Sequence, residues 1–401
     1  MDTPTAVDSL PVDALPLSGL LVLDFSQFLA GPVAALRLAD LGARVIKIER
    51  PKVGDSGRQL AFAGLEVDGD ALSFHAMNRH KESFEADLKI PKDLARVRQL
   101  IEHADVIIQN FRPGVMERIG LDYETVRRIN PRIVYASVTG YGSTGPWSGE
   151  PGQDLLAQAR SGLPWLNGTR DDPPVPVGLA IADVLTANHL TTGVLACLTR
   201  RARTGLGGLV ETSLLESMID LQFEVVSAHL YDRSLIPRRG PVNSAHAYLG
   251  APYGIYPTAD GYLALAMNAI PRLGELIGLD QLSRYDDPSS WLTERDAIMP
   301  LLGSHLSQRT TQDWLDILQP EDIWCAPVLT LAELVQNDGF AAIDMTQRIQ
   351  RDTSDGAVEL EVTRIPIRID GRPLRSAQGA PQLGADTDQI ADEFFGSNDE
   401  S

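Results

Sequence analysis

The chain has 401 residues, more than one ordinary core accommodates, so two domains are expected. A hydrophobic content of 43% and a charged content of 22% fit a soluble globular protein, with no run of about 18 apolar residues to span a membrane and no secretory pattern in the acidic start, Met1 to Pro16. A formal net charge of −19 argues against nucleic acid and anionic membrane as partners, and Cys197 and Cys325 belong to no CxxC pair, which speaks against disulfides and zinc and points to the cytoplasm.

The first part of the chain alternates strand and helix signals. Residues 20–24 read as a buried strand, 32–41 as a helix stopped by Gly42, and 44–49 as a second strand. A helix over 94–103 precedes a strand at 105–109, and a helix over 123–129 precedes a strand at 133–138. This alternation predicts an α/β fold with a Rossmann-like, open, largely parallel sheet. Residues 140–152, rich in Gly, Pro and Ser, form a long loop of the kind that is usually functional. Helices follow at 154–162 and 184–200, then a strand at 210–213 and one long helical pattern from Leu214 to about Leu230. Residues 238–253 read as linker and loop. A hairpin at 254–266 turns at Asp260-Gly261, and helices at 270–277, 292–306 and 311–318 complete a small α+β domain. Strand signals return at 326–329 and 359–365.

Four constellations could carry chemistry. The turn Phe25-Ser-Gln-Phe-Leu-Ala-Gly-Pro32 follows the first strand, and Gly31 and Pro32 suit a close approach at a helix start. It is not a Gly-x-Gly-x-x-Gly fingerprint, so it equally describes a plain turn. Arg50, Lys52 and Arg58 cluster after the second strand, where α/β sheets bind ligands; a solvated loop is the bland alternative. Asn110-Phe-Arg-Pro-Gly114 with Arg118 offers an amide, a ring that can stack and a cation, although capping and packing explain the first two as well. Asp183 ends the apolar run Gly178-Leu-Ala-Ile-Ala, just before a helical segment. Read locally it is a helix N-cap or a nucleophilic carboxylate, and a helix start would keep it ionised. The histidines show no metal-ligand spacing, so no metal is expected.

Taken together, these segments resemble the family III CoA-transferases, the CaiB/BaiF group that includes formyl-CoA transferase. The matching elements include Ala-Gly-Pro at 30–32, Asp-Leu-Gly-Ala at 40–43, Val-Ile-Lys-Ile-Glu at 45–49 and Gly-Asp at 54–55. They continue with Asn-Arg-His-Lys at 78–81, Asn-Phe-Arg-Pro-Gly at 110–114, Gly-Tyr-Gly at 140–142, Asp-Leu at 154–155, Ser-Gly at 161–162 and Asp183. The series is colinear over nearly the whole chain.

The resemblance implies an interlocked homodimer. It implies a large CoA-binding domain in 1–213, a linker helix region in 214–241, a small α+β domain in 242–325, and a return linker with the rest of the large domain in 326–401. It implies that Asp183 is the catalytic nucleophile, forming first a mixed anhydride and then an aspartyl-CoA thioester, with nearby backbone N–H groups holding the oxyanion. Coenzyme A and acyl-CoA are then substrates, the partner small molecule is a carboxylic acid, and no cofactor is bound permanently. The CoA contacts carried over are Phe28, Leu29, Ala30, Arg50, Ala86, Lys89, Asn110, Phe111 and Arg118; Gln153, Gly140 and Tyr141 belong to the substrate pocket. Arg50, Lys89 and Arg118 are the cations that a phosphate-bearing ligand of so acidic a chain requires.

Two departures qualify the match. Gln153 stands where the racemase branch of the superfamily has an acid/base histidine and formyl-CoA transferase a tyrosine. A loop reading Asn243-Ser-Ala-His-Ala-Tyr-Leu-Gly250 replaces the latter's four glycines. The alternatives are an acyl-CoA racemase or isomerase, which Gln153 disfavours, and a non-catalytic CoA-binding protein.

Overall fold

The apolar runs of the first half assemble into one six-stranded sheet in the computed structural model, which describes residues 15–353 and 356–396. Most of the acidic start lies outside the described residues. In chain order the elements are β1 (Leu21–Asp24), α1 (Ala30–Asp40), β2 (Arg44–Glu49), α2 (Leu72–Asn78), β3 (Glu82–Glu85) and α3 (Pro91–His103). They continue with β4 (Val106–Gln109), α4 (Tyr123–Ile129), β5 (Val134–Thr139), α5 (Asp154–Ser161), α6 (Ile181–Thr204) and β6 (Gly208–Ser213). The spatial order is β3-β2-β1-β4-β5-β6, with every neighbouring pair parallel. Parallel strands are covered on both faces, which is why β1 and β4 are wholly buried apolar runs rather than alternating ones.

Strand order reverses between β1 and β4. The connections after these strands diverge and leave a crevice at the strand C-termini, where ligands of open α/β sheets bind. α3 shows how the sequence builds the cover. Pro91 opens it, Asp93 sits in its first turn, and Val97, Leu100 and Ile101 form its buried stripe. They pack with Leu23, Ile46, Phe84 and Ile107, and with Ile390 from the C-terminal helix Thr387–Phe395.

The described residues divide into two compact units. The first takes the chain up to Ala157, Ala180–Ser217 and the chain from Ile343; the second takes Gln158–Leu179 and Met218–Ala342. Residues 158–179 thus group with the second unit, whereas the sequence reading kept them in the large domain. The second unit contains an antiparallel sheet of Gly254–Pro257, Tyr262–Leu265 and Cys325–Pro327. The helices Ile270–Ile277, Arg295–Leu306 and Thr311–Leu318 accompany it, and Tyr256, Leu273, Leu302 and Trp314 lie in its core.

Several expectations are corrected. β3 was not anticipated, nor was the hairpin partner Thr346–Thr353, nor the C-terminal helix. The long helix after 214 is two, Leu214–Leu221 and Phe223–Tyr231. Between them the Gln222 side chain donates to the Met218 carbonyl at 2.7 Å, competing with the backbone bond that would continue the helix. α6 starts at Ile181, earlier than expected, and by length and composition it could cross a membrane. It packs here against α1, β5 and β6, as the core helix of an α/β unit does.

Candidate active site

The turn after β1 is held from below and from both sides. Asp24, wholly buried, accepts from the Ser26 backbone N–H at 3.0 Å and also from its hydroxyl. The Gln27 N–H donates to Asn110 Oδ1 at 2.9 Å, and Asn110 Nδ2 returns a bond to the Gln27 carbonyl at 2.7 Å. The Phe28 N–H donates to Asp55 Oδ1 at 3.1 Å. Phe28 adopts φ 68°, a left-handed conformation that is costly for a bulky residue, while its ring stays 53% exposed. Gly31 is required on steric grounds, because a Cβ there would lie 2.2 Å from Ser26 Cβ.

This turn forms one wall of a cavity of about 550 Å³, well within the range of small-molecule sites. The loop after β4 and the segment 150–154 form other walls, and Asp183 reaches it from the first turn of α6. Of the residues expected at the site, Phe28, Leu29, Ala30, Asn110, Phe111, Gly140, Gln153 and Asp183 line the cavity. Arg50, Lys89 and Arg118 are exposed and do not line it; each lies a short way beyond the C-terminus of β2, β3 or β4. Ala86 is buried at the end of β3, with its N–H bonded to the Glu49 carbonyl at 2.8 Å. Tyr141 lies edge-on to Trp147 with centroids 6.4 Å apart.

Arg58 differs from Arg50 and Lys52, the exposed cations it clusters with in sequence. It is buried, its guanidinium grips Glu49 through two nitrogens at 2.9 and 2.7 Å and Asp70 at 2.7 Å, and it stacks on Phe74. Among the cavity residues that sequence reasoning did not single out are two that carry charge and adjoin named motifs. Arg112 lines it, although the Asn-Phe-Arg-Pro-Gly motif was read for its neighbours. Asp154 was noted only as part of a motif.

Asp154 performs the capping that was one of the two local readings of Asp183. The N-cap of α6 is Ala180, which offers no side-chain bond, and Asp183 is the third helical residue. Asp154 Oδ1 accepts from the Ala182 N–H at 2.6 Å and from the Asp183 N–H at 3.1 Å, reaching across from the start of α5. These two N–H groups are therefore engaged and are not the donors of an oxyanion hole. Burial, helped by the negative charge of Asp154, pushes the Asp183 carboxyl up to about 7. The helix start was expected to keep Asp183 fully ionised; desolvation and the neighbouring carboxylate oppose that pull. The result is a carboxyl that is ionised in substantial part at neutral pH and more basic than an exposed one. That suits attack on a carbonyl.

The loop 140–152 is pinched at its base. A Cβ on Gly140 would stand 2.5 Å from Gly152 Cα, and one on Gly152 would stand 2.4 Å from Gly140 Cα. The Gly140 carbonyl accepts from the Leu215 N–H at 3.1 Å, which ties the loop to the helix after β6. Ser148, Glu150 and Pro151 of this loop face the cavity.

Residues 17–387 match the model of a family described as CoA-transferase family III. The chain is 33% identical over 390 residues to the succinate–glutarate CoA-transferase of Agrobacterium fabrum, covering 94% of this chain and 96% of that one. It is 32% identical to the acetyl-CoA:oxalate CoA-transferase of Acetobacter aceti over 94% of this chain and 96% of that one. It is also 32% identical to the succinyl-CoA:mesaconate CoA-transferase of Haloarcula hispanica, over 92% of both chains. Among solved structures, a CaiB/BaiF family protein from Brucella suis is similar with a TM-score of 0.80 and 32% identity, over 95% of this chain and 99% of that one.

Proposed function

The chain belongs to CoA-transferase family III and is an enzyme that transfers CoA between an acyl-CoA and a carboxylic acid; we propose that Asp183 carries the transfer and that the acids are short dicarboxylates. The observation that carries the first part is a half-buried carboxyl on a cavity of ligand size, beside a second carboxylate, a setting that pushes its pKa up to about 7. The names of the three relatives support the second part.

In the proposed sequence, an Asp183 carboxylate oxygen attacks the thioester carbonyl carbon. The C–S bond breaks, giving a mixed anhydride and CoA thiolate. The thiolate attacks the Asp183 carbonyl carbon and releases the first acid as its carboxylate, leaving an aspartyl-CoA thioester. The second acid attacks that carbonyl, expels the thiolate and forms a second anhydride. The thiolate then attacks the acyl carbon of this anhydride and frees Asp183. No proton is gained or lost overall. With the Ala182 and Asp183 N–H groups occupied, a developing oxyanion draws on side chains of the cavity wall, among which Gln153 can donate. Loop 140–152 shields the anhydride from water, and Arg50, Lys89 and Arg118 serve the CoA phosphates.

The test is intact mass after mixing with succinyl-CoA, then with a panel of unlabelled mono- and dicarboxylates. An adduct on the chain and CoA appearing on a dicarboxylate are expected. Transfer only to monocarboxylates sinks the substrate assignment, and transfer with no trappable adduct sinks the covalent route.

Because the carboxylate is the reactive form, the acylation rate rises with pH and levels off above about 7. Asp154→Asn keeps an oxygen to cap α6 but removes the like charge, so the rising limb moves to lower pH. A limb that stays in place or moves up contradicts this electrostatic coupling.

A homodimer is also proposed. Phe223–Tyr231 has no buried residue, yet Phe223 is 62% and Tyr231 94% exposed. Leu331–Gln336 likewise buries nothing, and its Leu331 is 77% exposed. Apolar helices left bare in this way suit burial against a second copy. Light scattering after size exclusion should report twice the 43.6 kDa chain mass; a monomer at micromolar concentration rejects the dimer.

A further inference from the structure

Beneath the turn after β1 lies a set of buried charges that the transfer chemistry does not use. Lys47 and Lys81 are almost wholly inaccessible, as are Asp24 and Asp55. Lys81 Nζ donates to Asp24 Oδ2 and to the Pro32 carbonyl, each at 2.9 Å. Lys47 Nζ lies 2.8 Å from Asp55 Oδ2 and donates to the Ser26 carbonyl at 2.8 Å. Asp55 is the centre of this set. Its Oδ1 accepts from the Phe28 N–H at 3.1 Å and from the Gly57 N–H at 2.8 Å, and so joins the turn to the segment after β2.

A buried ion pair is expensive to assemble and is weak evidence for stability, so its retention here calls for another reason. The left-handed Phe28 supplies one. A bulky residue reverts to ordinary backbone angles unless its surroundings over-determine it. Every backbone N–H from Ser26 to Phe28 is bound by a side chain from elsewhere in the fold or by Asp24, and the bond to Phe28 is the one made by Asp55.

We propose that Asp55, fixed by Lys47, is a positioning residue: it holds Phe28 in the left-handed conformation that presents the Phe28–Ala30 wall to CoA. Asp55 touches no substrate. It acts through the backbone of Phe28, whereas Lys47 anchors its second oxygen and the Ser26 carbonyl at once. The inference rests on the reading of this cavity as the CoA site.

Two substitutions separate hydrogen-bond positioning from general stability. Asp55→Asn keeps an oxygen for Phe28 and Gly57. Asp55→Ser keeps the cap on Gly57 but is too short to reach Phe28. CoA binding by calorimetry should weaken about tenfold or more in Asp55→Ser, equivalent to about 1.4 kcal/mol, and stay within about threefold in Asp55→Asn, since the amide oxygen still accepts from the Phe28 and Gly57 N–H groups while Lys47 keeps the Ser26 carbonyl and the nearby Asp24. In steady-state kinetics Asp55→Ser should lower kcat/KM for the acyl-CoA and leave kcat/KM for the acid unchanged. A folded Asp55→Ser that binds CoA like the wild type overturns the proposal, and so does an Asp55→Asn that binds as weakly as the serine variant. If wild type itself fails to bind CoA, the reading of the cavity fails instead. Should Asp55→Ser not fold, amide exchange at Phe28 in Asp55→Asn decides: protection equal to wild type supports the proposal, and its loss overturns it.

Discussion

Replacing Asp183 with alanine should abolish transfer, lowering the rate by at least about 10³-fold, because every bond-forming step of the proposed route passes through its carboxyl group. CoA binding should stay near wild type, since the wall of Phe28, Leu29 and Ala30 and the Asn110 clamp do not depend on Asp183. The same position carries a stability signature that a bystander would lack. The Asp183 carboxyl is raised from 3.8 to about 7, so between those values the native state holds a proton that the unfolded chain has lost. Stability contributed by this group is therefore present at low pH and lost as pH rises towards 7. Asp183→Asn, which cannot ionise, should melt higher than wild type at pH 8 and no higher at pH 4. Thermal scans at the two pH values check this. An asparagine variant that gains nothing at pH 8 rules out a strongly raised Asp183, and an active alanine variant rules out the nucleophile.

The second large effect is expected at the base of loop 140–152. Neither Gly140 nor Gly152 needs a left-handed backbone; each is required because the other's Cα stands where a side chain would begin. Both colliding groups are backbone, so no side chain can swing aside. Gly152→Val must displace the main chain just before Gln153 and Asp154, and Asp154 is the cap of the helix that carries Asp183. Overpacking of this kind costs about 1–3 kcal/mol in stability. Activity should suffer more, by about 10²-fold in kcat, because shifts of about 1 Å are enough to spoil attack geometry. Rapid-quench acylation with succinyl-CoA measures it. A Gly152→Val enzyme with wild-type acylation would show that the pinch does not govern the site.

Much of the first unit was legible because parallel strands announce themselves. β1, β4 and β5 are largely apolar runs, β2 carries Val45, Ile46 and Ile48 among its charges, and several family motifs fall in the turns that follow these strands. β3 escaped because it is an edge strand of four residues, Glu-Ser-Phe-Glu, with only the middle pair buried. The hairpin Thr346–Thr353 escaped because its buried alternation is carried by Gln347, Ile349 and Arg351, two of them polar and bonded to distant partners, Ser376 and Asp70. The same blindness applied at the site. Asp183 and the Phe28 turn were named from local pattern and resemblance. The bonds that give them their properties come from Asp154, 29 residues away from Asp183, and from Asp55, 27 residues away from Phe28. Nothing in a local window separates an aspartate that caps its own helix from one capped by another. Arg58 shows the converse error. It sits among exposed cations in sequence, and only the packing of Glu49, Asp70 and Phe74 around it reveals a buried clamp.

The crossing of Gly140 and Gly152 also bears on how such enzymes diversify. It fixes the two ends of the intervening segment by mutual contact, independently of what lies between them. Lengthening a segment whose ends are already joined costs little entropy, because the penalty grows only with the logarithm of its length. Residues 141–151 can therefore be rewritten by insertion, deletion or exchange while the nucleophile, its cap and the cofactor wall are inherited intact. Ser148, Glu150 and Pro151 of this appendix face the proposed substrate cavity, so a laboratory library confined to it would test whether the choice of acid follows its sequence without reopening the chemistry.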